Sequence, residues 1–221
     1  MTIRRDLTFL EEEEKVIRTH GGAILNKSLI GETAFHAKEG KNSLQKRTIA
    51  RKAMDFIQDG STILLDSGTT TLEIAKLLKE RKNVTVITND ILIAYELMES
   101  EIKVIVTGGE LQNNVGTLFG SLTEQILKSI HVDLFFLGTH AVHLEDGVTA
   151  PTFEKASVKK LMIDASEKIW LVTDSSKFDH RSLARVCDLS AIDGIITDDG
   201  LTDLFKQELT KLTQVIIADR W

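Results

Sequence analysis

Short, mainly apolar runs alternate with helical segments from residue 43 to the end of the chain, and this alternation limits the fold more than any other feature. Residues 62–65 and 132–137 are two of the apolar runs, and residues 43–57 and 153–165 are two of the helical segments. A strand that is apolar on both faces is buried on both faces, which is typical of a parallel sheet between two layers of helices. We therefore predict an α/β fold with a mostly parallel, doubly wound sheet.

The other elements follow from the same periodicity. Further strands are predicted at 84–87, 104–106, 169–172, 195–196 and 215–217, and further helices at 70–78, 91–98, 122–130 and 201–209. The N-terminal part differs in character. Ile3, Leu7 and Leu10 lie on one side of a predicted helix over 3–14, and residues 16–25 predict two strands around the Gly21-Gly22 turn.

Composition excludes several classes of protein. The 221 residues carry a net charge of -6, so the chain as a whole is not a polycation that coats nucleic acid. The single cysteine excludes a disulfide framework within the chain and is typical of a reducing compartment. We find neither an apolar run long enough for a transmembrane helix nor a signal peptide, and so expect a cytoplasmic protein with no membrane partner.

The segment 64–71 is the most informative one for function. A buried strand ends at Asp66, Ser67 and Gly68 follow, and Thr69, Thr70 and Thr71 begin a helix. In a doubly wound sheet this turn lies at the edge where ligands bind. The first N–H groups of a helix lack internal partners and, with the helix dipole, favour an anion such as phosphate. The alternative is that Thr69 or Thr70 only caps the helix.

Four further strands end in small or polar residues, at 88–90, 107–109, 138–140 and 174–177. Because parallel strands end at the same edge, these groups are expected to converge there, where a lysine can meet a phosphate and carboxylate or amide groups can meet sugar hydroxyls. Capping of the next turn is the alternative for Asn89 and Asp174. The candidate effector-binding residues are Asp66, Ser67, Gly68, Thr69, Thr70, Thr71, Asn89, Gly108, Gly109, Asp174 and Lys177.

Familiar catalytic and metal motifs are missing from the sequence. It contains no GxGxxG, GxxxxGKS/T, HExxH or GxSxG pattern, and we predict no cofactor. His140, His143, Glu145 and Asp146 lie close together, but their spacing matches no standard site, so we also predict no metal ion.

Six stretches, in this order, resemble the DeoR-type bacterial transcription regulators over nearly the whole chain. They are residues 2–7 (TIRRDL), 18–23 (RTHGGA), 65–71 (LDSGTTT), 86–89 (VITN), 107–111 (TGGEL) and 174–178 (DSSKF). The resemblance implies a partial winged helix-turn-helix over 1–26, a connector over 27–42, and a sugar-phosphate-sensing domain over 43–221. It also implies that the fold of this last domain is similar to that of ribose-5-phosphate isomerase.

The resemblance further implies that 2–7 belongs to the recognition helix and 18–23 to the wing. The residues that it places at DNA are Thr2, Arg4, Arg5, Arg18 and His20. The family's earlier helices are absent from the sequence, so we expect operator binding if those helices are supplied. Residues 1–27 carry five basic and five acidic side chains, which restricts any DNA contact to a local patch.

The first hypothesis is therefore a transcription regulator, a repressor of a sugar-utilisation operon, that binds a phosphorylated sugar and forms a homodimer or homotetramer. Two alternatives stay open. One is a sugar-phosphate isomerase that uses Glu154 with Lys155, or Asp146 with Lys177, for proton transfer. The other is a truncated sensor that no longer binds DNA. We expect a regulator and not an enzyme.

Overall fold

The structure, a computed structural model, describes residues 3–12, 16–19, 21–25 and 35–219. It divides the chain into two compact units, Met1–Gly31 and Glu32–Trp221. In the first unit, helix α1 (Ile3–Glu12) precedes strands β1 (Val16–Thr19) and β2 (Gly22–Leu25). The two strands pair antiparallel as a hairpin. The predicted helix and strand pair are thus confirmed within the described residues.

The second unit contains the remaining elements. Its helices are α2 (Phe35–Glu39), α3 (Ser43–Ala53), α4 (Thr69–Leu78), α5 (Ile91–Leu97), α6 (Ser121–Leu127), α7 (Phe153–Asp164) and α8 (Asp203–Thr210). Its strands are β3 (Thr62–Leu65), β4 (Thr85–Thr88), β5 (Lys103–Val106), β6 (Glu110–Leu111), β7 (Leu118–Phe119), β8 (Val132–Leu137), β9 (Ala141–His143), β10 (Gly147–Ala150), β11 (Ser166–Val172), β12 (Ala184–Cys187), β13 (Gly194–Thr197) and β14 (Gln214–Ile217). Within the described part of the chain, we find no helix with the length and hydropathy needed to cross a bilayer.

Seven of these strands form one parallel sheet in the order β14-β13-β11-β8-β3-β4-β5. From β3 the chain moves outward through β4 to β5, and it then returns to the other side of β3 as β8. The winding direction therefore reverses between β3 and β8. In open α/β sheets, ligands bind outside the carboxyl ends of the strands at such a reversal. The predicted fold class is confirmed, and the reversal marks where a site is expected.

Helices cover both faces of the central part of this sheet, which is why the buried parts of its central strands are apolar. On one face, Ile63 and Leu65 of β3 belong to a core cluster with Ile49 of α3 and Ile74 of α4. On the other face, Leu64 belongs to a second cluster, in which Leu127 (α6), Met162 (α7) and Leu209 (α8) are also buried. Side chains that alternate between two dry layers cannot be polar on either side.

Two antiparallel additions were not predicted. Strands β9, β10 and β12 form a three-stranded sheet in the order β12-β10-β9, and β6 and β7 form a short hairpin. The hairpin follows β5 in the chain and β9 follows β8, so both additions begin beyond the carboxyl ends of parallel strands. These antiparallel strands therefore extend the protein at the edge of the sheet where the site is expected.

The predicted division into 1–26, 27–42 and 43–221 stays a prediction, because residues 26–34 lie outside the described ones. The later part of the predicted connector forms α2 and belongs to the second unit. The N–H of Phe35 donates to the carbonyl of Asn114 at 2.9 Å, and Nζ of Lys46 donates to the carbonyls of Lys38 and Lys41, each at 2.5 Å.

Candidate functional site

The turn between β3 and α4 carries the first part of the site. Asp66 is only 2% exposed, and Gly68 precedes α4 without any side chain capping the helix. The hydroxyl of Thr71 donates to the carbonyls of Asp66, at 2.7 Å, and Gly68, at 2.9 Å. Thr71 therefore fixes the shape of the turn, whereas Thr69 and Thr70 are half-buried at the start of the helix.

Asp66 is held from two sides. Its Oδ2 accepts a hydrogen bond from the N–H of Gly138, at 3.0 Å, and forms an ion pair with Nζ of Lys159. Lys159, on α7, also donates to the carbonyl of Gly138 at 2.9 Å. This network joins the carboxyl ends of β3 and β8, the two strands between which the winding reverses, to helix α7.

The turn between β4 and α5 lies beside it. Asn89 is 1% exposed; its Nδ2 donates to the carbonyl of Leu118 at 3.1 Å, while its Oδ1 is buried without a hydrogen-bond partner. Asp90 caps α5 by accepting from the N–H groups of Leu92 and Ile93. Burial raises the pKa of Asp90, and the hydrogen bonds from Ser67 and from the start of α5 partly oppose this effect.

A chain of hydroxyl groups links the first turn to the hairpin. The hydroxyl of Ser67 donates to Oδ2 of Asp90 at 2.7 Å and lies 2.6 Å from the hydroxyl of Thr117. With the hydroxyl of Ser67 donating to Asp90, the hydroxyl of Thr117 is the donor in the second contact. Both protons are therefore used within the protein, and both oxygens remain available as acceptors.

These parts surround a cavity of about 260 Å³. Three surfaces line it: the two turns, the hairpin β6–β7, and one side of α7. The turns contribute Asp66, Ser67 and Asn89, the hairpin contributes Gln112, Thr117 and Phe119, and the helix contributes Thr152, Glu154, Lys155, Val158 and Lys159. A cavity with a few converging polar groups at the reversal of an α/β sheet is the expected form of a small-molecule site.

The structure brings together only some of the predicted effector residues. Asp66, Ser67 and Asn89 line the cavity, and Gly68, Thr69, Thr70 and Thr71 continue the same turn. Gly108 and Gly109 support the hairpin. The carbonyl of Gly108 accepts from the hydroxyl of Thr123 at 2.6 Å, and a Cβ on Gly109 would collide with the carbonyl of Phe119.

Asp174 and Lys177 lie in a different cluster, after β11, and are absent from the lining of the cavity. Oδ1 of Asp174 accepts from Nδ2 of Asn42, at 2.8 Å, and from the N–H of Ser176, at 3.1 Å. Asp174 thus caps its own turn and anchors the start of α3, which agrees with the capping alternative considered above. Its role in effector binding stays a prediction, as does that of Lys177.

Two functional features were missed by the sequence predictions. Lys159 is 7% exposed on a helix side that also buries Ala156 and Met162, and a charged residue among apolar ones on the buried side of a helix was a usable signal. Thr117 and Gln112 reach the cavity from a hairpin whose strands have two residues each, and nothing in the local pattern indicated them.

The predicted DNA-binding residues belong to the first unit. Arg5 is exposed on α1. Arg4 lies on α1 and Arg18 on β1, but their side chains are outside the described part, as are the whole residues Thr2 and His20. DNA contacts at these five positions stay a prediction.

The proposed isomerase residues are separated by the fold. Glu154 and Lys155 line the cavity, whereas Asp146 lies at the β9–β10 turn. His143, Glu145 and Asp146 place possible ligand atoms within 4.8 Å of one another. However, Arg181 pairs with both carboxylates, its Nε lying 2.5 Å from Oδ2 of Asp146. An arginine ion-pair cluster accounts for this arrangement.

The structure combines a helix-and-hairpin unit with a parallel α/β unit that has a polar cavity at the reversal of its sheet. Residues 41–199 match the family model described as the DeoR C terminal sensor domain, and residues 1–29 match the DeoR-like helix-turn-helix domain. The chain belongs to the DeoR family of transcription regulators.

The chain is similar over most of its length to several proteins named as transcription regulators. The chain is 36% identical over 218 residues to the HTH-type transcriptional regulator GlpR of Haloferax volcanii, covering 99% of this chain and 85% of that protein. It is 32% identical to the glycerol-3-phosphate regulon repressor of Escherichia coli K12 (89% of this chain, 78% of that protein). It is 34% identical to the L-fucose operon activator of Haemophilus influenzae (91% and 81%).

Solved structures with a similar fold include ribose 5-phosphate isomerase A of Methanocaldococcus jannaschii, with a TM-score of 0.47 and 19% identity over 63% of this chain and 55% of that one. They also include eIF2B delta of Chaetomium thermophilum, with a TM-score of 0.49 and 20% identity over 71% and 56%. The matches span little more than half of those chains, and the likeness is one of fold alone.

Proposed function

We propose that this regulator binds a phosphorylated sugar or polyol in the cavity and thereby changes its affinity for operator DNA. The observation that carries the proposal is that Asn89 lines the cavity and that its Oδ1 is a buried acceptor without a hydrogen-bond partner. A buried polar atom left without a hydrogen bond costs about 1–3 kcal/mol, so a ligand hydroxyl that donates to it gains binding energy. The amide cannot be turned the other way without losing its bond to Leu118.

The surrounding wall favours hydroxyl groups for the same reason. The oxygens of Ser67 and Thr117 beside Asn89 have given their protons to the chain that ends at Asp90. They can accept hydrogen bonds from a ligand, but donating to one would break that chain. A polyhydroxylated carbon chain meets such a set of acceptors, whereas an anion would be repelled by their lone pairs.

The phosphate is assigned to the start of α4, residues 68–71. No side chain caps this helix, in contrast to α5 and α7, which are capped by Asp90 and Thr152. Its free N–H groups therefore suit an anion. Lys155, on the α7 wall, supplies positive charge to the same cavity.

The regulatory role is proposed by analogy with the named relatives. One relative is named a repressor of the glycerol-3-phosphate regulon, which supports repression linked to a phosphorylated polyol, and another is named an activator of the L-fucose operon. We propose repression of a sugar-utilisation operon by a homodimer or homotetramer, and no enzymatic turnover. Ketose formation from ribose 5-phosphate would contradict the last point and favour the isomerase alternative with Glu154 and Lys155.

A thermal-shift series tests the proposal with glycerol 3-phosphate, fructose 6-phosphate and ribose 5-phosphate, each beside its unphosphorylated counterpart. Ligand at 100 times its Kd adds about 2.7 kcal/mol, which raises the Tm by about 5–10 °C for a domain of this size. We expect a shift from at least one phosphorylated compound and a much smaller one from its counterpart. Equal shifts within each pair, or none at all, would contradict the proposal.

The substitution Thr70→Asp tests the phosphate end. An aspartate in the first turn of α4 interacts favourably with the helix dipole, so the Tm without ligand is expected to hold or rise. The same charge repels a phosphate at the turn, so the ligand-induced shift is expected to disappear. An unchanged ligand-induced shift in this variant would show that the phosphate binds elsewhere.

A further inference from the structure

We infer that the outer edge of strand β5 is the surface on which a second copy of this chain docks, about a two-fold axis that places the two β5 strands antiparallel. The inference rests on the proposed function for the existence of a homo-oligomer, and it names the surface through which the copies meet. It does not depend on which effector binds in the cavity.

The backbone of β5 can pair with a further strand. Strand β5 is the last one of the seven-stranded sheet, and among the described residues no other strand pairs with its outer side. The N–H of Thr107, directly after β5, donates to the carbonyl of Thr88 at 3.0 Å. Because the backbone groups of a strand point alternately to its two sides, those of Val104 and Val106 point away from β4.

The side chains of this edge are exposed although they are apolar. Ile105 and Val106 are exposed in β5, whereas Val215, Ile216 and Ile217 of β14, at the opposite edge of the sheet, are half-buried. Sheet edges that face water are usually protected by charged side chains, proline or bulges. The apolar residues of β5 therefore indicate an edge that is covered in the assembled protein.

The two helices next to β5 lie on opposite faces of the sheet. Leu97 of α5 belongs to the core cluster against which Val104 of β5 packs. On the other face, Leu127 of α6 belongs to the second cluster, and the hydroxyl of Thr123 donates to the carbonyl of Gly108, two residues beyond β5. A surface centred on β5 therefore includes the outer sides of both helices.

Helix α5 extends the apolar edge on the first face. Its Glu96 pairs with Lys79, at the end of α4, at 2.6 Å, so this side of α5 faces the neighbouring helix. Ile91, Tyr95 and Met98 follow one another at the spacing of a helical stripe, and this stripe is exposed on the other side of α5.

Helix α6 extends the edge in the same way on the second face. Oε1 of Glu124 accepts from the hydroxyl of Ser157, on α7, at 3.4 Å, so this side of α6 faces inward. Leu122 and Ile126, one turn apart, are exposed on the side of the helix away from α7. The apolar stripes of α5 and α6 therefore flank β5 on both faces of the sheet.

The extent and charge of this face fit a second copy of the chain. The exposed apolar side chains of α5, β5 and α6 together present roughly 700 Å², close to the area that each partner buries in a standard interface. Lys82 and Glu101, which precede β4 and β5, pair with each other at 3.0 Å and so add no net charge to it. An isologous contact requires a face that is complementary to itself, and an apolar face meets this requirement.

A two-fold axis at Ile105 gives the backbone groups of the edge their partners. In an antiparallel pair centred there, Val104 of one copy exchanges hydrogen bonds with Val106 of the other, and the reverse. The two Ile105 residues then form a non-hydrogen-bonded pair, with their Cα atoms about 4.5 Å apart. Such an axis keeps each face of the sheet continuous, so that α5 meets α5 and α6 meets α6.

Sedimentation velocity of the full chain at a series of concentrations, without effector, tests the surface. Tyr95→Glu places a charge in the α5 stripe, and Leu204→Glu places the same charge on α8. The two side chains are 71% and 70% exposed, so both variants are expected to fold. We expect a dimer in the wild type and in Leu204→Glu, and a dimer Kd at least about 10-fold higher in Tyr95→Glu.

Two results of this experiment would overturn the inference, and they differ in what they mean for the proposed function. Equal Kd values in the two variants would overturn this surface and leave the proposed homo-oligomer standing. A monomeric wild-type protein would contradict both. Failure of the thermal-shift series would contradict effector binding and leave the surface unaffected.

Cross-linking tests the two-fold pairing itself. Ile105→Cys, in a background in which Cys187→Ser removes the native thiol, places two thiols within disulfide distance across the axis. Leu204→Cys in the same background is the matched control. After mild oxidation, a covalent dimer is expected on a non-reducing gel for Ile105→Cys and not for Leu204→Cys. No covalent dimer of Ile105→Cys would overturn the inference.

Discussion

The ammonium group of Lys159 is buried on the side of α7 that also buries apolar side chains. Two hydrogen-bond acceptors compensate its burial. Its Nζ bonds Oδ2 of Asp66 and the carbonyl of Gly138. Removing one partner from a buried ion pair leaves an uncompensated charge, which costs about 3–5 kcal/mol. We therefore expect Lys159→Met to lower the free energy of unfolding by that amount, measured by urea denaturation.

The matched control is Lys128→Met. Lys128 pairs with Glu124 at 3.7 Å on the surface of α6, and its side chain is 60% exposed. Such pairs contribute about 0–1 kcal/mol. Equal losses of stability in the two lysine variants would contradict the view that the buried network around Lys159 joins β3, β8 and α7. The double variant Asp66→Asn, Lys159→Met is expected to lose less than the sum of its single variants.

At the scale of elements, two adjacent glycines give contrasting expectations for the hairpin. Both have positive φ, 68° at Gly108 and 117° at Gly109. A Cβ on Gly108 meets open space, whereas on Gly109 it meets the carbonyl of Phe119 and the hydroxyl of Thr123. Gly108→Ala should therefore cost only the backbone term of about 1–2 kcal/mol.

Gly109→Ala has the same kind of free-energy cost from its positive φ. In addition, the new Cβ must push β7 away, because it would collide with the carbonyl of Phe119. We expect it to lose clearly more stability than Gly108→Ala in thermal unfolding, and to weaken binding of the most effective sugar phosphate, because Phe119 and Thr117 would shift. Equal losses of stability in the two alanine variants would contradict this expectation, because the hairpin would then have moved aside at no cost in free energy.

The elements differ in how far the sequence predicted them. The parallel strands and their helices were predicted because burial on two faces leaves a local signature, as in 62–65 and 132–137. The hairpin β6–β7 was not, because each of its strands has two residues and Glu110 is paired with Phe119 across the intervening turn. The sheet β12-β10-β9 was missed for a similar reason, since Thr149 of β10 pairs with Arg185, far along the chain.

The residues of the candidate site also divide into those that the sequence predicted correctly and those that it did not. Asp66, Ser67 and Asn89 directly follow parallel strands, so the rule that strands end at one edge was enough to bring them together. That rule also included Asp174 and Lys177, but β11 is separated from β3 by β8 in the sheet, and their cluster is not part of the cavity. Sheet order decides which strand ends are neighbours, and periodicity does not encode it.

At the scale of the whole molecule, the reversal of the sheet, the cavity and the β6–β7 hairpin lie together in the second unit. The cavity lies beyond the carboxyl ends of β3 and β4, and α7 and the hairpin line its other sides.

Isothermal titration of the sugar phosphate with the largest thermal shift, into the wild-type protein and into Asn89→Ala and Asp174→Ala, tests the central claim most directly. Asn89→Ala removes the buried acceptor in the wall, and we expect the Kd to rise by about 5- to 100-fold, corresponding to about 1–3 kcal/mol. The sequence also predicted Asp174 for the effector, whereas the proposed cavity does not include it, so Asp174→Ala should leave the Kd within about twofold. A Kd unchanged in Asn89→Ala, or one raised as much in Asp174→Ala, would contradict the assignment of the effector to this cavity.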